Sequence, residues 1–593
     1  MYPDEFIGVA WYVGFWCASH PLILEFAFWV GVLGVSAVLL ALRPSFLERA
    51  ECAWDRVARR RMLSVVLAGL AALALRASML PLAPIPEPIL HDEYSFILQA
   101  QTFAAGRLTN PPHPMWQHFE TFHVNMLPSY QAMYPPAQAL LMAVGLLAFG
   151  DPWWGVWLSV GLMCAAVTWM LQGWMPPRWA LLGGAFCVLR FGLFGYFVNS
   201  YFGGAVPALG GALMLGALPR LWRKPAAGHA VVLALGLAIL ANSRPYEGLV
   251  LSLAPLVWLA VWLFRKHAWT GELLGRVVVP AATVLVMCCA AMLYYNWRGT
   301  GNPLELPYAA NWRQYHITKP FLWQASYQIP DYHHPLMRRF YLTQEFPNHL
   351  LARTGWGREE LTEIRCRAYY EFYVWPLLLL FIPSLWIMLK SRRVRVLPIA
   401  LLLLLTGLLV EVWPPQPHYA SPAVCVVIAI ALYGLRLLRT WRPLRMPAGL
   451  MMSRAIVLLL LAWTALPTAR ALVNPWGLQP LGGERALQFE RARLQAQLER
   501  LPGEHVVIVH SQPSYGGAQD WIYNRPDIDH AKVIWARDMG GDKNQELVLY
   551  FRDRHIWYID QDDGVMRLQA YNQHNTEETL AASTAAPSKG HTN

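Results

Sequence analysis

Charge is scarce in this sequence. Asp, Glu, Lys and Arg supply only 14% of its 593 residues, while 56% are hydrophobic. A soluble chain of this length needs a far more charged surface, which excludes an ordinary soluble globular protein. Acids are scarcer than bases, 37 against 48, and the formal net charge is +11. Cysteine is sparse and scattered: eight residues, with no CxxC and no even spacing. Neither a structural disulfide nor a zinc site is expected from that pattern. The first residues, MYPDEF, lack the basic start of a signal peptide, so no cleavage is expected. No internal repeat is visible.

What the sequence does contain is long apolar runs. They fall near 22–42, 62–80, 134–150, 153–171, 179–198, 203–221, 229–242, 247–264, 276–297, 371–390, 396–413, 418–438 and 452–472. A bilayer core needs about 20 apolar residues per helix, so these predict an α-helical polytopic membrane protein with about twelve crossings. The basic excess lies in short clusters between runs: Arg43 to Arg61, Arg220 to Lys224, Arg265 to Arg276, Lys390 to Arg395, and Arg436 to Arg445. Such clusters mark the cytoplasmic side. The positive charge therefore reports topology, and no nucleic-acid partner is expected. The loops 81–133 and 298–370 and the C-terminal tail then lie outside, as do both termini. Four runs separate the first outer loop from the cluster at 220–224, where an odd number is needed. YPPAQALLMAVGLLAFG, ending at the GDPWW turn, is expected to re-enter, lie partly in the interface or merge with its neighbour.

The expected organisation is an N-terminal span and basic loop (1–61), a transmembrane body (62–472), an outer α/β domain (473–572) and a disordered tail (573–593). In the outer domain ERALQFERARLQAQLERL reads as an amphipathic helix. HVVIVH, AKVIWA, ELVLYF and HIWYID read as strands.

Four stretches carry candidate chemistry. His91-Asp92-Glu93 follows a span directly, and Asp92 can N-cap a surface helix running to about Ala105 with Gly106 as its stop. A carboxylate there can also take a proton from an attacking hydroxyl. ANSRPYEG places Arg244, Tyr246 and Glu247 at the outer end of a helix broken by Pro245. Arg244 either pairs with Glu247 across the kink or clamps a phosphate. WPPQPHYASP sets His418 and Tyr419 at the start of a span, as an interface anchor or as phosphate ligands. NSYFGGAVPALGG reads as close helix packing. Arg313, His316 and Lys319 add basic groups in the long outer loop, solvated unless they reach a substrate.

HDEYSFILQAQTFAAGRL after a span, then YPPAQALLMAVGLLAFGDPWWGVWLS, then a late PHYASP resemble the GT-C glycosyltransferases, over roughly residues 60–440. The likeness is to their protein-mannosyltransferase and aminoarabinose-transferase-like branch. It implies inverting transfer of a hexosyl or pentosyl unit from a polyprenyl-phosphate donor to an acceptor outside a bacterial inner membrane. It implies Asp92 as base with Glu93 beside it, and Arg244 and His418 holding the carrier phosphate. His91, Tyr134, Tyr246, Glu247, Arg313, Lys319 and Tyr419 complete the expected substrate-binding set. The sequence departs from the family in two places. NSYFGG carries no acid where a later outer loop often has one, and Arg244 stands where Lys is common. With so few hard oxygen ligands, no metal or other cofactor is expected to be required. The acceptor class, whether protein, lipid or polysaccharide, stays open. Two rival classes remain, a lipid-carrier transporter or flippase and a non-enzymatic assembly protein. The first needs a polar path across the bilayer, and the second tolerates Asp92→Asn.

Overall fold

A computed structural model of the chain describes residues 21–42, 45–193, 195–265, 271–473, 483–511, 520–561 and 567–571. The uncleaved start and the disordered tail expected from sequence lie outside the described residues.

The described chain is a multi-pass helical membrane protein with a small α/β unit at its C-terminal end. Seven helices are long and apolar enough to cross a membrane: Leu22–Leu42, Arg61–Ser78, Trp153–Trp174, Ala205–Arg223, Pro245–Arg265, Gly271–Thr300 and Ser421–Thr440. Gly355–Val374 and Leu378–Lys390 form a pair bent by 94°. Four shorter apolar helices, among them Ala137–Phe149 and Ala227–Ala241, add to them. Several of these helices, Leu22–Leu42 and Gly271–Thr300 above all, leave most of their apolar surface exposed. Exposed Leu, Val and Phe along a helix suit a hydrocarbon solvent.

The Ala137–Phe149 helix accounts for the odd crossing count. Its first residue donates its N–H to the Asn242 carbonyl (2.9 Å), and Asn242 closes the helix that leads to Arg244. Past its far end, the Trp153 indole donates to the Val198 carbonyl, and Asn199 next to Val198 takes a hydrogen bond from Arg76 near the end of Arg61–Ser78. Both ends of Ala137–Phe149 thus lie at the end of the bundle that leads to residue 91. Its Gly145 meets Gly155 so closely that a Cβ on Gly145 would come within 2.1 Å of the Gly155 nitrogen.

Two expectations for the first outer loop change. Helix His91–Ala104 is capped by Leu90, with extended backbone (φ −115°, ψ 154°), and Asp92 lies inside the first turn. Gly106, at φ +72°, does end it, with Arg107 N–H bonded back to the Thr102 carbonyl. The helix does not lie on a membrane surface. Phe96 and Ala100 belong to the core of the bundle, Leu98 to the core under the α/β unit, and the Tyr94 ring stacks on Tyr523 at 4.3 Å and 7°.

The first outer loop holds a short antiparallel pair, β1 Val124–Asn125 and β2 Gln131–Ala132. In the α/β unit, helix Gly483–Arg500 precedes a sheet of order β4-β3-β5-β6, with β3 His505–His510, β4 Val533–Arg537, β5 His555–Asp560 and β6 Gln569–Ala570. β3 pairs in parallel with both β4 and β5. ELVLYF, read as a strand, lies largely in helix Gly541–Tyr550. Its apolar run is too short to tell strand from helix, and a parallel β4-to-β5 connection demands a crossover helix. The unit shares cores with the outer loops, where Phe122, Tyr315 and Tyr341 pack with Val507 and Trp535. Buried Arg537 pairs with Asp520 and donates to the Glu120 carbonyl (2.8 Å), and Thr121 donates to Asp520 (2.7 Å).

Candidate active site

Asp92 stands at the centre of a small polar cluster. The Tyr134 hydroxyl donates to its Oδ1 and also lies 2.9 Å from His123 Nδ1. His123 Nδ1 is 3.4 Å from the same carboxylate oxygen, and His91 Nε2 is 3.3 Å from the other. Burial by itself would raise the Asp92 pKa; the two imidazoles and Tyr134 outweigh it and hold the carboxyl well below the usual range. Burial, with Asp92 beside it, pushes the Tyr134 hydroxyl well up, so it stays a donor.

The backbone aims this cluster. His123 adopts φ +59°, the left-handed region that a residue with a Cβ seldom enters. Its carbonyl is held there by Ser95 Oγ (2.7 Å) and Met133 N–H (3.1 Å). Ser95 lies one turn along the helix from Asp92, so one element fixes both partners. The Tyr134 ring stacks on Phe96 at 4.4 Å, and its carbonyl accepts from Gln99.

Glu93 faces elsewhere. Its carboxylate accepts three backbone N–H bonds, from Ile89 (2.8 Å), Leu90 (3.2 Å) and Tyr201 (2.9 Å). Burial raises its pKa to about 7, against the pull of those three donors. It ties the helix start to the NSYFGG stretch, which places it in the scaffold around Asp92.

Beside the cluster opens a cavity of about 240 Å³. Tyr134, Arg244, Tyr246, Glu247 and Tyr419 line it, so five of the eleven site residues expected from sequence meet at one space. The Arg244 guanidinium sits 4.8 Å over the Tyr419 ring and 3.5 Å from Glu247. Of the two alternatives for Arg244, the pair across the break is present, and the guanidinium also lines the cavity. Tyr246 donates to the Gly407 carbonyl. The opposite wall is closed where the Leu322 N–H meets the Val410 carbonyl and the Val412 N–H meets the Pro320 carbonyl.

The other expected residues fall outside the cavity. His418 is buried, with Nδ1 2.8 Å from the Tyr196 hydroxyl and its ring stacked on Phe202. Burial, then nearby Arg244, holds its pKa well below the ordinary value, which disfavours the charged imidazolium. Arg313 pairs with Glu305 (2.5 Å) on the surface, and Lys319 lies over the Tyr327 ring. His316 is buried against Glu345 (2.8 Å). Sequence reasoning missed His123 beside Asp92, and Tyr308, Glu411 and Trp413, which line the cavity. His123 lies in HFETFHVN, a stretch with no spacing rule; only the fold brings it to Asp92.

Among the described residues, His91, Asp92 and His123 are the group whose donor atoms converge closely enough to hold a cation, all within 4.8 Å of one another. Two imidazoles and one carboxylate form a donor set that suits zinc with an open position.

No family model matches this chain, and no curated protein matches it. Among solved structures it is similar to ArnT from Cupriavidus metallidurans bound to undecaprenyl phosphate, at 12% identity and TM-score 0.48, covering 88% of this chain and 95% of that one. The apo form of the same protein aligns at 13% identity and TM-score 0.46, over 88% and 94%. The Archaeoglobus fulgidus oligosaccharyltransferase tethered with an acceptor peptide aligns at 11% identity and TM-score 0.37, over 87% and 74%.

Proposed function

We propose that this chain is an integral membrane glycosyltransferase of GT-C type, which moves a sugar from a polyprenyl-phosphate donor to an acceptor with inversion at the anomeric carbon. The observation that carries the reading is the coupling of acid, hydroxyl and cation: Tyr134 bonds Asp92 and lines the same cavity as Arg244. The sequence motifs of the first outer loop, the Pro-Pro run and PHYASP meet around that space.

In this reaction the acceptor nucleophile attacks the anomeric carbon from the face opposite the phosphate. The new bond forms as the carbon–oxygen bond to the phosphate breaks, and that electron pair leaves on the phosphate. Arg244 stabilises the charge developing there. Asp92 starts ionised and takes the acceptor's proton late, as attack makes that proton acidic. No metal is required in this reading, because Arg244 supplies the cation.

The membrane is a bacterial inner membrane and the site faces outward. Support for that facing comes from the basic residues Arg436, Arg439 and Arg442, at the far end of the helix that starts beside His418 and Tyr419.

The test is sugar transfer from radiolabelled polyprenyl-phosphate sugars in membranes holding wild type or Asp92→Asn at matched levels. Transfer should fall by about 10²–10⁴-fold in the variant. Equal transfer by both would reduce Asp92 to a part of the helix start, and no transfer by either across a full donor panel would favour a transporter.

A further inference from the structure

A second cavity lies far from Asp92. Helix Ser421–Thr440 starts beside His418 and Tyr419 and runs 20 residues, about 30 Å, to its far end. There it meets the end of Trp153–Trp174, which is tied to the start of Arg61–Ser78 by Gln172 donating to the Arg61 carbonyl (2.9 Å). Between these ends and the end of Leu378–Lys390 opens a space of about 800 Å³. That lies within the range of small-molecule sites, roughly 300–1,000 Å³.

Four arginines line it, Arg178, Arg436, Arg439 and Arg442, with the rings of Trp179 and Tyr433, and no acid is among its lining residues. Arg439 has a carboxylate, Glu51 at 2.7 Å, which also receives Arg454 at 2.9 Å. Among the described residues, Arg178, Arg436 and Arg442 form no ion pair with a carboxylate; Arg178 and Arg436 rest over aromatic rings at 5.7 Å and 5.4 Å. A topology signal requires only basic residues in a loop. Here two helices, Pro177–Cys187 and Ser421–Thr440, and the loop that follows the second bring guanidinium groups to one concave space whose walls are also apolar and aromatic. Guanidinium forks match phosphate oxygens, and Trp and Tyr suit the headgroup depth of a bilayer.

We infer that this cavity is a binding site for the phosphodiester headgroup of an anionic phospholipid in the leaflet opposite the Asp92 site. The acyl chains run along the exposed apolar faces of the surrounding helices, where Trp386 and Ile387 are open to lipid. Such basic pockets between helices are how membrane proteins hold specific lipids.

The experiment uses the full chain, purified in detergent and passed through mixed vesicles of phosphatidylcholine, phosphatidylglycerol and cardiolipin, with retained lipid read by native mass spectrometry. Wild type should keep phosphatidylglycerol or cardiolipin in preference to phosphatidylcholine. Arg178→Gln with Arg442→Gln, which breaks no carboxylate pair, should weaken that retention about tenfold. Sugar transfer and melting temperature at wild-type values show that the variant is folded. Equal retention by variant and wild type would overturn the inference. So would displacement of the lipid by millimolar inorganic phosphate, which would make this a site for a free anion.

Discussion

Tyr134 touches both halves of the candidate site: its hydroxyl bonds to Asp92, and its ring forms part of the wall that Arg244 shares. The contact depends on two turns of structure far apart in sequence, the start of His91–Ala104 and the Pro-Pro entry to Ala137–Phe149.

Tyr134→Phe keeps the stack on Phe96 and removes only the O–H. Asp92 then loses a donor and His123 a hydrogen-bond partner. The turnover number for sugar transfer should fall about 10–100-fold with little change in KM, because the loss concerns alignment of the base more than donor binding. Steady-state kinetics on membranes checks this; a change in KM alone would make Tyr134 a simple wall residue.

Glu93→Gln should destabilise the fold by about 2 kcal/mol, since an amide cannot accept the three backbone N–H bonds that the carboxylate takes. The folded pKa of about 7 lies above the ordinary 4.5. The protonated form therefore contributes stability fully below pH 4.5, and this is lost as pH rises through 7. Wild type should lose stability relative to Glu93→Gln across that window, measured as melting temperature in detergent at a series of pH values.

His510 in β3 pairs with Asp538 at 2.9 Å, and that bond, ahead of the cost of burial, raises the imidazole pKa above 6.5. A raised pKa means that the stabilisation is complete below pH 6.5 and lost as pH rises through the folded value. His510→Gln should cost about 1 kcal/mol near pH 5.5 and less at pH 8. Unfolding of the full chain followed by Trp fluorescence at the two pH values reads the difference; an equal cost at both would remove the charge from the pair.

In the proposed reaction Arg244 is the cation beside the leaving phosphate, so transfer should survive chelation by EDTA. If activity falls with EDTA and returns with zinc in wild type but not in His123→Ala, the group of His91, Asp92 and His123 holds a metal.

The membrane body was legible because hydrocarbon imposes a simple rule. Every span must be apolar over a bilayer's thickness, and that rule is local in sequence. Asp92, Arg244 and Tyr419 were legible for a related reason, as polar residues at the ends of apolar runs stand out. ELVLYF was misread because its apolar spacing fits either element, and only the parallel partner strands make it part of a helix. His123 and Glu93 show the deeper limit. Adjacent acids in sequence, Asp92 and Glu93, point to different surroundings, since successive residues on a helix lie about 100° apart. His123 reaches Asp92 only through a left-handed turn held by Ser95 and Met133.

The sequence by itself determined a helical membrane protein, its basic and acidic ends, and an acid at the exit of a span. Tertiary structure alone decided that Asp92 is joined to the cavity through Tyr134, and which side chains share its charge. It also decided that the α/β unit packs onto helix His91–Ala104 through Tyr94 and Tyr523. The physical reason is range: burial in a bilayer is written residue by residue, whereas hydrogen bonds and charge pairs depend on distances that only the folded chain sets.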